Sequence, residues 1–209
     1  MLFRSYRDIS RVVHATTLFT NALIERKGAP TGLIATEGFR DTLEMRREHK
    51  YELYNLFMEL PRPLVARHLR REGPERIGPN GEGSQAIVFE QLLAQTQQLK
   101  DAGVVSLAIA LLHAYANDAH EVAARDAIRK KFPELFVSIS SEVAPQIREY
   151  ERTSTTVANA YIKPLADSYL DLMGREIARL GITAPLFMML SNGGLTHIDE
   201  AKRVPIQLL

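Results

Sequence analysis

The 209-residue chain contains no cysteine, which excludes disulfides, thiolate metal sites and a thiol nucleophile. Neither sign of charge is in excess: 26 Lys+Arg against 25 Asp+Glu leave +1. No global field therefore draws the protein to nucleic acid or to a membrane surface. Long apolar runs are missing as well. Val104–Leu112, broken by Ser106, is too short to span a bilayer. Arg4, Arg7, Asp8 and Arg11 interrupt the N-terminus, so a secretory apolar core is absent there. These absences together predict a soluble, cytoplasmic protein. The sequence also lacks GxxxxGK[ST], GxGxxG after a strand, HExxH and GxSxG, the common local signatures of phosphate loops, dinucleotide sites, zinc proteases and serine hydrolases. His113 and His120 are too far apart in sequence to share a helical turn, so a metal site made by this chain alone is not expected.

What is present is an ordinary globular composition, 45% apolar and 24% charged, enough for one ample core or two modest domains. Apolar runs alternate with helical patterns. Val12–Val13 leads to a helix over Thr16–Arg26, and Thr31–Thr36 reads as a strand followed by a helical turn from Phe39. Met45–Arg71 is irregular and aromatic, with Pro61 and Pro63 breaking any long helix. Gly78–Gly83 is a turn around Asn80-Gly81. A helix over Ser84–Ala102 follows, then the buried strand Val104–Leu112 and a helix capped by Asn117 or Asp118, with Glu121 resembling a capping-box partner. Leu135–Ile139 and Pro185–Leu190 are further strands. Between them lies a long helix from about Thr156 to Arg179, in which Pro164 predicts a kink. This alternation predicts an α/β fold with a mainly parallel sheet. A domain break is expected near Ser140–Pro145.

Four places could carry chemistry. His14, with Thr16, Thr17 and Asn21, sits where a strand turns into a helix, a common ligand position because helix N-termini expose unpaired N–H groups. The alternative is a simple threonine cap beside a core histidine. Arg148, Glu149 and Arg152 precede the long helix; the two arginines are spaced to share a face and grip an oxyanion, or to pair with Glu149 and Glu151. Asn192, Gly193 and Gly194 follow a strand and permit close backbone approach to a ligand, or just a tight turn. Arg67, Arg70 and Arg71 with His68 form a local basic cluster, suited to a phosphate or to a solvated strand edge.

Several blocks occur together and in order: HATTLFTNALIERKGAPTGLIATEGFRDTLEM, YELYNLFMELPRPLVAR, GVVSLAIALLHAYANDAHE, SSEVAPQIREYERTSTTVANAYIKPLADSYL and SNGGL. They resemble the hydantoinase/oxoprolinase family, in particular its A-type subunit, over Val12 to Leu209. The resemblance implies an actin-like, sugar-kinase-like ATPase fold. It implies use of ATP and Mg to activate an amide or ketone carbonyl, by phosphorylating its oxygen, before ring opening or carboxylation. It also implies a B-type partner subunit and an oligomeric assembly.

Within that resemblance, residues 1–140 correspond to the family's N-terminal region and 141–209 to the start of its core domain. His14, Thr16, Thr17 and Asn21 match an HGTTxxxN block in which Ala15 replaces glycine. Arg148, Glu149 and Arg152 match REYERT, and Asn192, Gly193 and Gly194 match SNGG. The resemblance assigns His14, Arg148, Glu149 and Arg152 to catalysis, and Thr16, Thr17, Asn21, Asn192, Gly193 and Gly194 to binding substrate and phosphate. The family's DxGGTFTD-like and SGPxxG-like phosphate loops have no counterpart in the chain, and the region between Arg76 and Gln85 is shorter, which predicts an internal piece of a larger subunit. An ATP-dependent cyclic-amide hydrolase is thus expected. A ketone carboxylase subunit and a non-catalytic module are the alternatives.

Overall fold

The computed structural model describes Tyr6, residues 9–49 and residues 51–209; the charges of Arg4, Arg7 and Asp8 lie outside them. Among the described residues the strands are β1 (Val12–His14), β2 (Thr31–Thr36), β3 (Arg70–Gly73), β4 (Arg76–Ile77), β5 (Gly83–Gln85), β6 (Ser106–Ala110), β7 (Phe136–Ile139), β8 (Leu186–Met189) and β9 (Leu195–His197). The α-helices are α1 (Leu18–Ile24), α2 (Thr42–Met45), α3 (Phe89–Asp101), α4 (Ala119–Lys131), α5 (Ser140–Val143), α6 (Glu149–Arg179) and α7 (Ile198–Arg203). The chain divides into two compact units, one of Pro30–Tyr161 and one of Met1–Ala29 with Ile162–Leu209.

In the Pro30–Tyr161 unit a four-stranded parallel sheet has the order β3-β2-β6-β7. Its central strands are buried along their whole length because both faces are covered. One face, with Ile34, Leu107 and Ile109, packs on Leu92 and Leu99 of α3 and on Ala124 and Ile128 of α4. The other, with Leu33, Ala108 and Ala110, packs on Leu43 of α2 and on Val157 and Ala160 of α6. Gly32 lets α3 come close: a Cβ there would lie 3.1 Å from Leu99 and 3.2 Å from Leu107. An α/β fold with a mainly parallel sheet between helices is therefore what the chain forms. The Gly78–Gly83 turn joins β4 to β5, with Gly81 at φ +85°.

The other unit holds a three-stranded sheet of order β1-β8-β9, in which β1 and β8 are parallel and β8 and β9 antiparallel. Phe19 and Ala22 of α1, Ile162, Ala166 and Leu170 of α6, and Met188 of β8 are among its buried apolar side chains.

The structure corrects several local expectations. Helix α6 begins at Glu149, well ahead of Thr156. Its hydroxyl-rich start is a weak helix former in isolation, but Thr153, Thr156 and Asn159 are buried. Thr156 Oγ1 donates to the Arg152 carbonyl (2.6 Å) and Asn159 to Ser138 Oγ (3.0 Å). Helix α3 begins at Phe89 because Ser84 and Gln85 are held in β5. Glu121 is no capping-box partner: the α4 start is served by Asn117 Oδ1, which accepts from Ala119 N (3.1 Å), while Glu121 turns inward. The basic cluster is not a solvated edge throughout, since Arg70 is 1% exposed.

Candidate functional site

The carboxyl ends of the parallel strands in the Pro30–Tyr161 unit gather a buried polar network. In doubly wound sheets ligands collect at this edge, where successive connections leave in opposite directions; here that point lies between β2 and β6. Thr36, the last residue of β2, bridges it. Its Oγ1 accepts from Leu112 N (2.8 Å) and donates to Glu75, whose other oxygen is 2.6 Å from His120 Nδ1. Next to it, Glu121 accepts from Leu111 N (2.8 Å), Ser140 Oγ (2.6 Å) and Ser141 N (2.7 Å), tying the ends of β6 and β7 to α4. Burial pushes the Glu121 carboxyl above its ordinary value, and these hydrogen bonds oppose the shift.

The Leu111 carbonyl accepts from Arg152 Nη2 (2.8 Å), and Gln146 O accepts from Nη1 (2.9 Å). The Arg152 guanidinium lies 5.5 Å from the Tyr115 ring centroid; among the described residues it touches no carboxylate, and its Nε has no hydrogen-bond partner. Burial lowers its pKa from the ordinary guanidinium value, opposed by the charges of Glu121 and Glu149. Arg152 lines a small hollow with Phe39, Thr42 and Glu149. Those three residues also line an open groove of about 530 Å³ beside the N-terminus of α6, whose rim carries Arg46, Arg47, His49 and Arg148. Arg148 is mostly exposed and lies 3.9 Å from Glu151, which Arg47 also engages. The two arginines of REYERT thus differ sharply: one is a rim side chain and the other a buried cation. The groove's other basic residues, Arg46, Arg47 and His49, come from an irregular loop whose sequence carries no periodic signal.

In the other unit, His14 ends β1 opposite Met188 of β8, so Thr16, Thr17 and the turn after β8 leave the same carboxyl edge of the sheet. His14 Nε2 is 2.8 Å from Tyr169 Oη on α6. Thr16 Oγ1 accepts from Leu18 N (3.1 Å), Thr17 is the N-cap residue of α1 without a side-chain cap, and Asn21 is exposed on that short helix. Asn192–Gly194 forms the hairpin between β8 and β9, with Asn192 Oδ1 accepting from Gly194 N (2.9 Å) and Gly193 at φ +83°. The expected site residues therefore fall into two groups, one in each unit. Tyr169 was missed because it reads as one more apolar position on the helix stripe.

The Arg67–Arg71 cluster is internally committed. Arg67 grips Asp41 through two bonds of 2.9 Å, Arg70 pairs with Glu44 at 2.9 Å, and Arg71 donates to the His68 carbonyl at 2.7 Å. Among the described residues no group of three or more His, Asp or Glu side chains could hold a metal ion, and no helix is long and apolar enough to cross a membrane.

A parallel sheet enclosed by helices, with buried charge at its carboxyl edge, defines an α/β protein. The family model for the hydantoinase/oxoprolinase N-terminal region matches residues 3–132, and the hydantoinase/oxoprolinase model matches residues 152–209; the chain belongs to that family. It is 38% identical over 96% of its length to an uncharacterized protein of Methanocaldococcus jannaschii. Over 90% of its length it is 36% identical to caprolactamase subunit alpha of Pseudomonas jessenii, and over 91% it is 28% identical to the acetophenone carboxylase gamma subunit of Aromatoleum aromaticum. The crystal structure of the ATP-dependent caprolactamase from Pseudomonas jessenii superposes with a TM-score of 0.87 at 33% identity over 98% of the chain, and 30% of that structure's chain is covered. The chain spans 30%, 27% and 28% of the three relatives' own lengths.

Proposed function

We propose that the chain serves an ATP-dependent cyclic-amide hydrolase, in which a ring amide carbonyl is phosphorylated and then hydrolysed. The likeness to caprolactamase in both sequence and fold supports this reading most directly. The chemistry is coherent: an amide carbonyl is a poor electrophile, and phosphorylating its oxygen supplies a good leaving group. Catalysis then rests on positioning and on neutralising phosphate charge.

Among the described residues Arg152, desolvated and without a carboxylate in hydrogen-bond contact, is well suited to a phosphate or carboxylate oxygen. Arg148 on the rim supplies a second guanidinium, and Glu149 is assigned to catalysis in the lining of the same groove. In the other unit, His14 is assigned to catalysis, and Thr16, Thr17, Asn21 and the Asn192–Gly194 turn to binding the substrate or phosphate. Mg belongs to the proposal as the companion of the ATP phosphates, with which it is usually bound. A second subunit, an oligomeric assembly and a cytoplasmic location accompany the proposal. The division into an N-terminal region and a core domain at 140/141 belongs to it as well; it falls between the two family matches.

The gene product at its natural length, expressed with any co-encoded subunit, tests the reading. ATP hydrolysis should depend on a lactam, hydantoin or 5-oxoproline and be indifferent to bicarbonate. Turnover that requires bicarbonate would instead assign a carboxylase, for which the acetophenone carboxylase likeness is the supporting observation. Absence of ATP hydrolysis with every cyclic amide would refute the proposal.

A further inference from the structure

We propose that His120 is a proton acceptor at the carboxyl edge of the Pro30–Tyr161 sheet, with Glu75 as its positioning residue. The neutral ring carries hydrogen on Nδ1 and offers Nε2 as the base. Its use in catalysis rests on the hydrolase proposal; the tautomer does not.

His120 is the second residue of α4, and Glu75 follows Pro74 between β3 and β4. Nδ1 of His120 lies 2.6 Å from Glu75 Oε2, and Glu75 is 2% exposed. The carboxyl is placed by a chain of bonds whose directions are set from its far end. Leu112 N–H can only donate, and it gives its proton to Thr36 Oγ1 (2.8 Å). Thr36 is fully buried, so its hydroxyl proton needs a protein acceptor, and Glu75 Oε1 is the one it reaches. Oε1 is therefore an acceptor and carries no proton.

A carboxylate oxygen and a bare ring nitrogen would repel at the Oε2–Nδ1 distance, so one hydrogen lies between them. Imidazole is a stronger base than carboxylate, and that hydrogen belongs to the nitrogen whether the ring is neutral or charged. In the neutral ring the lone pair then belongs to Nε2. Among the described residues Nε2 has no protein partner, yet it is not one of the buried polar atoms left without one. Its side chain is 18% exposed, so water reaches it. An imidazole held in this way accepts a proton at Nε2, and the carboxylate behind Nδ1 stabilises the cation that results. In the proposed reaction that proton comes from the attacking water. The water oxygen bonds to the activated carbon, the C=N π pair moves onto the lactam nitrogen, and the proton passes to Nε2. The imidazolium then returns it to the lactam nitrogen.

Glu75→Gln separates a base from a mere structural clasp. Thr36 still needs an acceptor, so the glutamine oxygen faces Thr36 and its NH2 faces Nδ1, which forces the hydrogen onto Nε2 while both contacts are kept. Long-range ¹H–¹⁵N spectra of the uniformly labelled 209-residue chain, at alkaline pH and with His120→Gln for assignment, should show hydrogen on Nδ1 in the wild type and on Nε2 in Glu75→Gln. Wild-type hydrogen on Nε2 would overturn the proposal, and the wild-type spectrum decides this even should the variant fold poorly. In the natural-length protein with any co-encoded subunit, Glu75→Gln and His120→Gln should each lower kcat about 100-fold and leave KM unchanged. A wild-type kcat in both variants would reduce the pair to a clasp and overturn the base. Absence of ATP hydrolysis with every cyclic amide would refute the hydrolase proposal instead, and the spectra would still decide the tautomer.

Discussion

Arg70, at the start of β3, and Arg152, near the start of α6, are both withdrawn from water in the same unit, and each donates to main-chain carbonyls. Each also has one nitrogen without a partner, Nη1 in Arg70 and Nε in Arg152. They part over the counter-charge. Arg70 meets the Glu44 carboxylate at 2.9 Å, whereas Arg152 meets only carbonyl oxygens and the Tyr115 ring. A buried charge is ordinarily paired, because its desolvation is otherwise uncompensated. Arg70 follows that rule and reads as a brace between β3 and the loop at Val65. Arg152 departs from it beside a groove, and such departures concentrate where ligands bind.

Three substitutions sharpen or break the contrast. Arg70→Ala should cost most, roughly 3 kcal/mol, since it removes a buried guanidinium with its bond to the half-exposed Glu44 and two bonds to the Val65 carbonyl, and leaves a void. A shift in urea midpoint at constant slope would measure it; an unchanged midpoint would show that Arg70 is no brace.

Glu121→Gln should alter the pH profile of stability. The folded chain holds the Glu121 proton more tightly than the unfolded chain does. It therefore binds more protons between the ordinary carboxyl pKa and the raised folded one, and stability falls as pH rises through that window. Each pKa unit corresponds to about 1.4 kcal/mol. The variant should lose this slope, and thermal melts from pH 4 upward would report it.

Arg152→Met should have the smallest effect on stability, within about 1 kcal/mol, because it deletes a desolvated charge while keeping much of the volume. Its signature lies in ligand linkage: millimolar phosphate should raise the melting temperature of the wild type and leave the variant unmoved. Equal phosphate stabilisation of both proteins would remove Arg152 from any anion site.

Where apolar pattern dominates, the fold was readable. The strand inside Val104–Leu112 is apolar but for Ser106, and Thr31–Thr36 has an apolar centre, because both faces of a parallel strand are covered. The start of α6 was not readable, since Thr153–Thr156 disfavour a helix locally and only packing against β6 and β7 reverses that preference. REYERT and HATT single out polar positions, but not their orientation. Spacing alone does not tell an exposed Arg148 from a buried Arg152. Glu121 was misread for the same reason: three residues after a capping residue, an acid can turn back to the helix end or inward to the sheet. The sequence order of Glu75, Thr36 and Leu112 gives no hint that they converge, because their contact depends on strand order.

The hydrogen bonds of Glu121 also set which loops can change length. The stretch from Leu111 to Glu121 is closed by a bond between its two ends, and Ser140 and Ser141 are locked to the same carboxylate. An added or deleted residue there would pull acceptor from donor in a place water does not reach. Residues 51–60, by contrast, carry bonds of short sequence range, such as Asn55 to Glu52, and expose Tyr51, Tyr54 and Phe57. Insertions that diversify this scaffold would accordingly be tolerated in that loop and selected against at the exits of β6 and β7.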